Sequence, residues 1–134
     1  MFSRSGSLRH AALTPLEIVR AFHARLEAGR PLHGLVHERF ERVGNPGGAL
    51  LEANVPLDQS VAAARRQGYS FHVQACEAAP GGRVLARGVW SHDAPRGGSA
   101  GLVYAVYETL EGRIVMLRFF EDRDAARAFA GFAA

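Results

Sequence analysis

The sequence predicts an α+β fold, with helices first and an antiparallel meander last. Three observations predict it. An amphipathic segment with a clear start opens at Thr14. Four β-like runs separated by Gly- and Pro-containing turns fill residues 69–121. An Ala-rich segment after Glu121 closes the chain as a short helix.

The first helix is defined at both ends. Thr14 is the N-cap, Pro15 takes the first helical position, and Glu17 completes a capping box. Ile18, Val19, Phe22 and Leu26 form one apolar stripe, and Gly29 with Pro31 stops the helix. Leu32, Leu35, Val36 and Phe40 fit a second helical turn, while Arg39–Val43 fits a strand; periodicity leaves both open. Gly44–Gly48 is a loop by composition, and Leu50–Val55 is ambiguous. Gln59–Gln67 reads as a short helix capped by Asp58 or Ser60 and stopped by Gly68.

Strands follow at Tyr69–Glu77, Val84–His92, Leu102–Leu110 and Arg113–Glu121. Pro80-Gly81-Gly82 and Glu111-Gly112 supply tight reversals, and residues 93–101 a longer loop. Asp122 or Asp124 caps the last helix, which packs through Ala126, Phe129 and Phe132. Residues 1–13 lack periodicity and are expected to be a flexible tail. Residues 14–134 are expected to form a single domain, since neither repeats nor a linker interrupt them.

Composition excludes several classes of function. All 16 basic residues are Arg, so no Schiff-base, pyridoxal phosphate or Walker A lysine exists. The arginines are scattered rather than clustered, which argues against a nucleic-acid partner despite the net charge of +3. No apolar run approaches the roughly 20 residues that span a bilayer, so no membrane partner is expected. The N-terminus has no apolar stretch after its arginines, and cytoplasmic location is the default expectation. The single cysteine, Cys76, suits a small buried apolar residue in a strand better than a nucleophile.

His33 and His37 stand four apart, as a helical metal pair would, but have no third ligand near them, and no metal site is expected. Neither a G-x-S-x-G elbow nor a GxGxxG fingerprint is present, and no cofactor is expected.

Strand alternation sorts the remaining candidates. In the last strand Val115, Leu117, Phe119 and Glu121 share one face, and Met116, Arg118 and Phe120 the other. Tyr104, Val106 and Glu108 stand opposite Val103, Ala105, Tyr107 and Thr109, and Tyr104 is chosen as the inward tyrosine. His72 lies mid-strand with Ser70, Gln74 and Cys76. Trp90 shares a face with Val84, Ala86 and Gly88, where it serves as a wall for a planar ligand or as a core or interface residue.

Three pieces carry a family resemblance: the opening helix Pro15–Gly29, the string Arg83-Val84-Leu85-Ala86-Arg87-Gly88-Val89-Trp90, and the run from Gly112 to Arg123 with the Ala-rich helix behind it. Together with the order of elements they resemble the nuclear transport factor 2-like superfamily, in its SnoaL-like branch. That resemblance implies N-terminal helices packed on a strongly curved, mainly antiparallel sheet that encloses a cone-shaped pocket. The superfamily holds cyclases, isomerases, epoxide hydrolases, dehydratases and proteins without chemistry. Its enzymes often carry a first acid after a buried aromatic; the comparable place here is Phe40-Glu41-Arg42-Val43-Gly44-Asn45-Pro46.

The resemblance places Phe22, Trp90, Leu117 and Phe119 around a mostly apolar pocket, with Glu121 at its rim. Glu121 would then move a proton while Tyr104 or His72 polarises a carbonyl, in a cofactor-free isomerisation, cyclisation or dehydration. Alternatively Glu121 is a solvated strand-end acid paired with Arg118 or Arg123. The expected ligand is a hydrophobic small molecule. The other reading is a non-catalytic ligand-binding domain, or a homodimer formed through Met116, Arg118 and Phe120.

Overall fold

The computed structural model describes residues 13–32, 34–43, 57–93 and 97–133, with only the backbone at 43, 57, 58 and 60. Most of the expected tail, His10, His33, the Gly44–Gly48 loop, Leu50–Val55 and the cap side chains Asp58 and Ser60 lie outside it.

Helix α1 (Pro15–Glu27) starts at Thr14, whose hydroxyl accepts the Glu17 N–H at 3.1 Å. The Glu17 carboxylate accepts the Thr14 N–H in return at 2.9 Å. This bond to the backbone holds the Glu17 carboxyl below its ordinary value. Gly29 follows the helix at φ 69°, a conformation that an L side chain resists. Strand β1 (Val36–Val43) then decides the segment that periodicity left open. It is a strand because its backbone has a partner: it runs parallel to the last strand, entering where the Ile114 N–H donates to the Leu35 carbonyl at 2.7 Å.

Helix α2 (Leu57–Arg66) precedes the meander of β2 (Tyr69–Ala78), β3 (Val84–His92), β4 (Ser99–Leu110) and β5 (Arg113–Phe120). Helix α3 (Arg123–Ala130) closes the described chain, with the Asp122 side chain accepting the Ala125 N–H at 2.9 Å. The five strands form one open, mixed sheet in the order β1-β5-β4-β3-β2, antiparallel except for the β1–β5 pair. At the β4–β5 reversal Glu111 (φ 56°) and Gly112 (φ 77°) both adopt positive φ, as a tight hairpin turn requires. The Glu111 carboxylate meets His37 Nε2 at 2.9 Å, which ties the turn to β1 and lowers the Glu111 pKa.

Two bulges set which residues face which layer. In β2 the pairing skips Gln74, and in β5 it skips Val115. An extra residue reverses the alternation beyond it. Val115 therefore does not continue the Leu117–Phe119 face; Ile114 does, fully buried. Cys76 likewise leaves the face of His72 and packs with Val73 against the core, where burial raises its thiol pKa.

The sheet is covered on both sides. On the inner face Ile18, Val19 and Phe22 of α1 pack on Val84, Ala86, Ala105, Tyr107, Ile114 and Leu117. Burying one such side chain contributes about 2 kcal/mol. On the outer face Leu85 and Val106 pack under Ala126 and Ala130 of α3, with Tyr104, Phe120, Phe129 and Phe132 around them. The cover for Phe120 and Arg118 thus comes from α3 of the same chain: Phe120 lies 5.4 Å from Phe129, and Arg118 lies over both rings. Among the described residues no helix is long and apolar enough to cross a membrane.

Candidate functional site

Between α1, α2 and the inner sheet face lies a cavity of about 80 Å³. Its walls are Phe22 and Leu26 from α1, Phe71 from β2, Trp90 from β3, and Leu117 and Phe119 from β5. Val61 and Ala64 of α2 close one side. Phe22, Trp90, Leu117 and Phe119 are brought together here. The two phenylalanines that face each other across the sheet, Phe71 and Phe119, meet edge to face at 6.2 Å.

Backbone without side chains makes room for two of these walls. A Cβ on Gly88 would stand 2.7 Å from the Phe71 ring and 2.8 Å from the His72 carbonyl oxygen. A Cβ on Gly101 would stand 2.8 Å from Trp90 Nε1. Gly101 pairs with Trp90 across the β3–β4 ladder, so the indole lies over a neighbour that offers no obstruction.

The buried polar groups of the lining are His23 and Tyr107; half-buried Tyr69 and exposed Ser70 also line the cavity. His23 sits four residues after Val19 and next to Phe22, on the buried side of α1. Tyr107 points inward from β4, opposite Leu117. The Tyr107 hydroxyl and His23 Nε2 form a hydrogen bond, and the rings meet at right angles with centroids 5.3 Å apart. Phe22 and Phe71 flank the imidazole at 5.2 and 5.9 Å.

Burial dictates the protonation of this pair. Desolvation lowers the His23 pKa to about 4, so the imidazole is neutral near pH 7. Burial, and then the neighbouring Cys76, raise the Tyr107 pKa well above its ordinary 10, so the phenol keeps its proton. His23 is the only hydrogen-bond partner of the Tyr107 hydroxyl among the described residues. The arrangement that leaves the fewest buried polar groups unmet has the hydroxyl donating to Nε2 and the imidazole proton on Nδ1. That Nδ1 is buried and has no hydrogen-bond partner among the described residues. A buried donor left unmet costs about 1–3 kcal/mol.

The three residues expected to do chemistry lie apart from this cavity and from one another. Glu121 is exposed, one residue past the end of β5, where the chain bends toward the Asp122 cap. His72 is exposed on edge strand β2, beside inward-facing Phe71, and its Nδ1 meets the Glu27 carboxylate at 3.0 Å. Tyr104 belongs to the outer face, under α3. The inward tyrosine is instead Tyr107, three positions on and on the opposite face. A signal for it was available: the Tyr104 face also carries Glu108, whereas Tyr107 shares its face with Val103 and Ala105. His23 was legible too, from its helical spacing to Val19 and Leu26.

Arg65, exposed on α2, is the cavity's charged lining residue, and its guanidinium donates to the Leu26 carbonyl at the end of α1. Among the described residues no group of histidine, cysteine and acidic side chains is placed to hold a metal ion.

No protein-family model matches the sequence, and no curated protein is significantly similar to it. Solved structures do match. A nuclear transport factor 2-like protein from Burkholderia thailandensis superposes with a TM-score of 0.64 at 22% identity, covering 88% of this chain and 97% of that one. A protein with a ketosteroid isomerase-like fold from Catenulispora acidiphila, solved with trimethylamine, gives 0.61 at 16% identity over 90% and 96% of the two chains. A protein assigned as a SnoaL-like polyketide cyclase from Jannaschia gives 0.57 at 11% identity over 90% and 93%. Helices covering an open mixed sheet in this order, matched over nearly the whole of each neighbour, establish that the chain has the nuclear transport factor 2-like fold.

Proposed function

We propose that the protein binds a compact, largely apolar molecule carrying one hydrogen-bond acceptor, of which a ketone or other carbonyl compound is the simplest case. The observation that carries this is the buried, unpartnered His23 Nδ1 beside an aromatic cavity. A largely apolar pocket with one buried unmet donor favours a ligand whose single acceptor completes it, and disfavours sugars, whose many hydroxyls would be desolvated without partners. About 80 Å³ is well below the roughly 300–1,000 Å³ of ordinary ligand sites. One ring or a short branched chain is the size that fits. Neighbours described as a polyketide cyclase and as having a ketosteroid isomerase-like fold lend the same direction by analogy of fold alone.

Simple binding is better supported than acid–base catalysis. No carboxylate lines the cavity among the described residues. Burial makes His23 a weak base, with a pKa of about 4, and the Tyr107 phenol a weak acid. Their suited role is to hold and polarise a carbonyl oxygen rather than to remove a proton.

The test pairs acetophenone with ethylbenzene, which have similar shape but differ in the acceptor. Acetophenone should raise the melting temperature more than ethylbenzene, and the ¹⁵N resonance of His23 Nδ1 should shift on titration. Stabilisation by sugars or nucleotides alone, with no response to either aromatic, would overturn the proposal.

A further inference from the structure

A second hollow, of about 180 Å³, lies on the outer sheet face beside α3. Its chemistry is opposite to that of the aromatic cavity. Three guanidinium-bearing side chains line it: Arg87 from β3, and Arg123 and Arg127 from α3. The two helix arginines stand four apart and so share one side of α3. Arg87 is the register partner of Tyr104, which also lines the hollow and brings a hydroxyl. Against these three cations the described lining offers a single carboxylate, Glu77.

The partners already present do not use up this charge. Arg127 is held firmly: it donates to Glu77 at 2.7 Å and lies 4.3 Å over the Phe132 ring. The nearest acid to Arg123 is Asp124, at 3.9 Å, with both side chains largely exposed, which makes a weak pair. Arg87 forms no hydrogen bond or ion pair with a described residue. Elsewhere on this face Arg83 donates to Glu108 at 2.9 Å and Arg118 lies over Phe120 and Phe129. The hollow therefore gathers two guanidinium groups with spare donors beside a third whose position is already set.

We propose that this hollow is a binding site for a doubly charged oxyanion of the phosphate monoester type. Arg87 and Arg123 supply paired N–H donors to its oxygens, the Tyr104 hydroxyl supplies one more, and Arg127 adds fixed positive charge. A dianion neutralises the surplus that Glu77 leaves. A single carboxylate or chloride would satisfy fewer donors and less charge, so selectivity for phosphate and sulfate over acetate and chloride follows. The site is separate from the aromatic cavity and stands or falls independently of it.

Inorganic phosphate is the probe. Melting temperature and the arginine Nε–Hε NMR signals would be followed against phosphate, sulfate, acetate and chloride at constant ionic strength. Phosphate and sulfate should stabilise the protein saturably and shift the Arg87 and Arg123 signals. R87Q and R123Q should each weaken phosphate binding by about fivefold, and the double substitution should abolish it. Both positions are exposed, and unchanged circular dichroism would show that the fold survives. Y107F should leave phosphate binding as it was. Equal stabilisation by chloride, or full phosphate binding in the R87Q/R123Q protein, would overturn the proposal.

Discussion

The Tyr107 hydroxyl, on β4, is hydrogen-bonded to His23 Nε2, on α1, across 84 residues of sequence. The bond joins the first helix to the centre of the sheet and brings together the two buried polar groups of a largely apolar cavity. Because His23 has spent one nitrogen on Tyr107, its other nitrogen, also buried, is the group with something left to bind.

Stability should fall on mild acidification because of His23. Its pKa in the folded protein is about 4, against an ordinary 6.5. The unfolded chain gains a proton below about 6.5 that the native state refuses until about 4. Stability is therefore complete above that window and declines as pH drops through it, by at most about 3 kcal/mol. Urea denaturation between pH 7 and 4 measures this. His23→Gln, which does not titrate, should flatten that part of the profile; an unchanged slope would assign the loss to other groups.

Tyr107→Phe keeps the ring and removes only the hydroxyl. It leaves His23 Nε2 without its donor and should cost about 1–2 kcal/mol in stability. The imidazole proton is then free to change nitrogen. The ¹⁵N chemical shifts of His23, which distinguish the tautomers, should lose the single-tautomer pattern. Retention of that pattern in the variant would show that something other than Tyr107 selects it.

Gly88→Ala should destabilise the protein by about 2–3 kcal/mol. The added methyl would meet the His72 carbonyl oxygen at 2.8 Å as well as the Phe71 ring at 2.7 Å. A ring can tilt, but the carbonyl belongs to the β2–β3 ladder and moves only with the strand. Chemical denaturation gives the figure; a change below about 0.5 kcal/mol would mean that β2 yields more easily than a paired strand should.

Gly101→Ala tests the opposite outcome, a side chain that moves. The new Cβ would meet Trp90 Nε1 at 2.8 Å, and the indole can swing aside. Trp90 is the chain's only tryptophan, so its fluorescence reports that movement directly. The emission maximum should shift, and acetophenone binding should weaken as the cavity wall is displaced. Unaltered emission would contradict the close approach of the two strands' groups.

Local chemistry was legible in the sequence where one stretch of chain contains its own cause. The start of α1 needs only Thr14, Pro15 and Glu17, its stop Gly29, and the start of α3 only Asp122. The strand runs from Tyr69 onward were legible from their turns. The apolar stripes that contain Phe22, Leu117 and Phe119 follow from side-chain periods of 3.6 and 2.

Tertiary structure decided the rest, because alternation is a relative rule. It separates Tyr104 from Tyr107 without saying which faces inward; α1 and α3, covering opposite faces, make that choice. One unpaired residue, Val115 or Gln74, reverses the rule, and only pairing with a neighbouring strand exposes it. Val36–Val43 became a strand through its parallel partner β5, a contact between distant segments that no local period encodes. The site follows the same logic: Glu121, His72 and Tyr104 have the right chemistry but separate positions, while His23 and Tyr107 gain theirs from burial beside each other. Residue type is written in the sequence; desolvation, which sets what His23 and Tyr107 can do, exists only once the chain has folded around them.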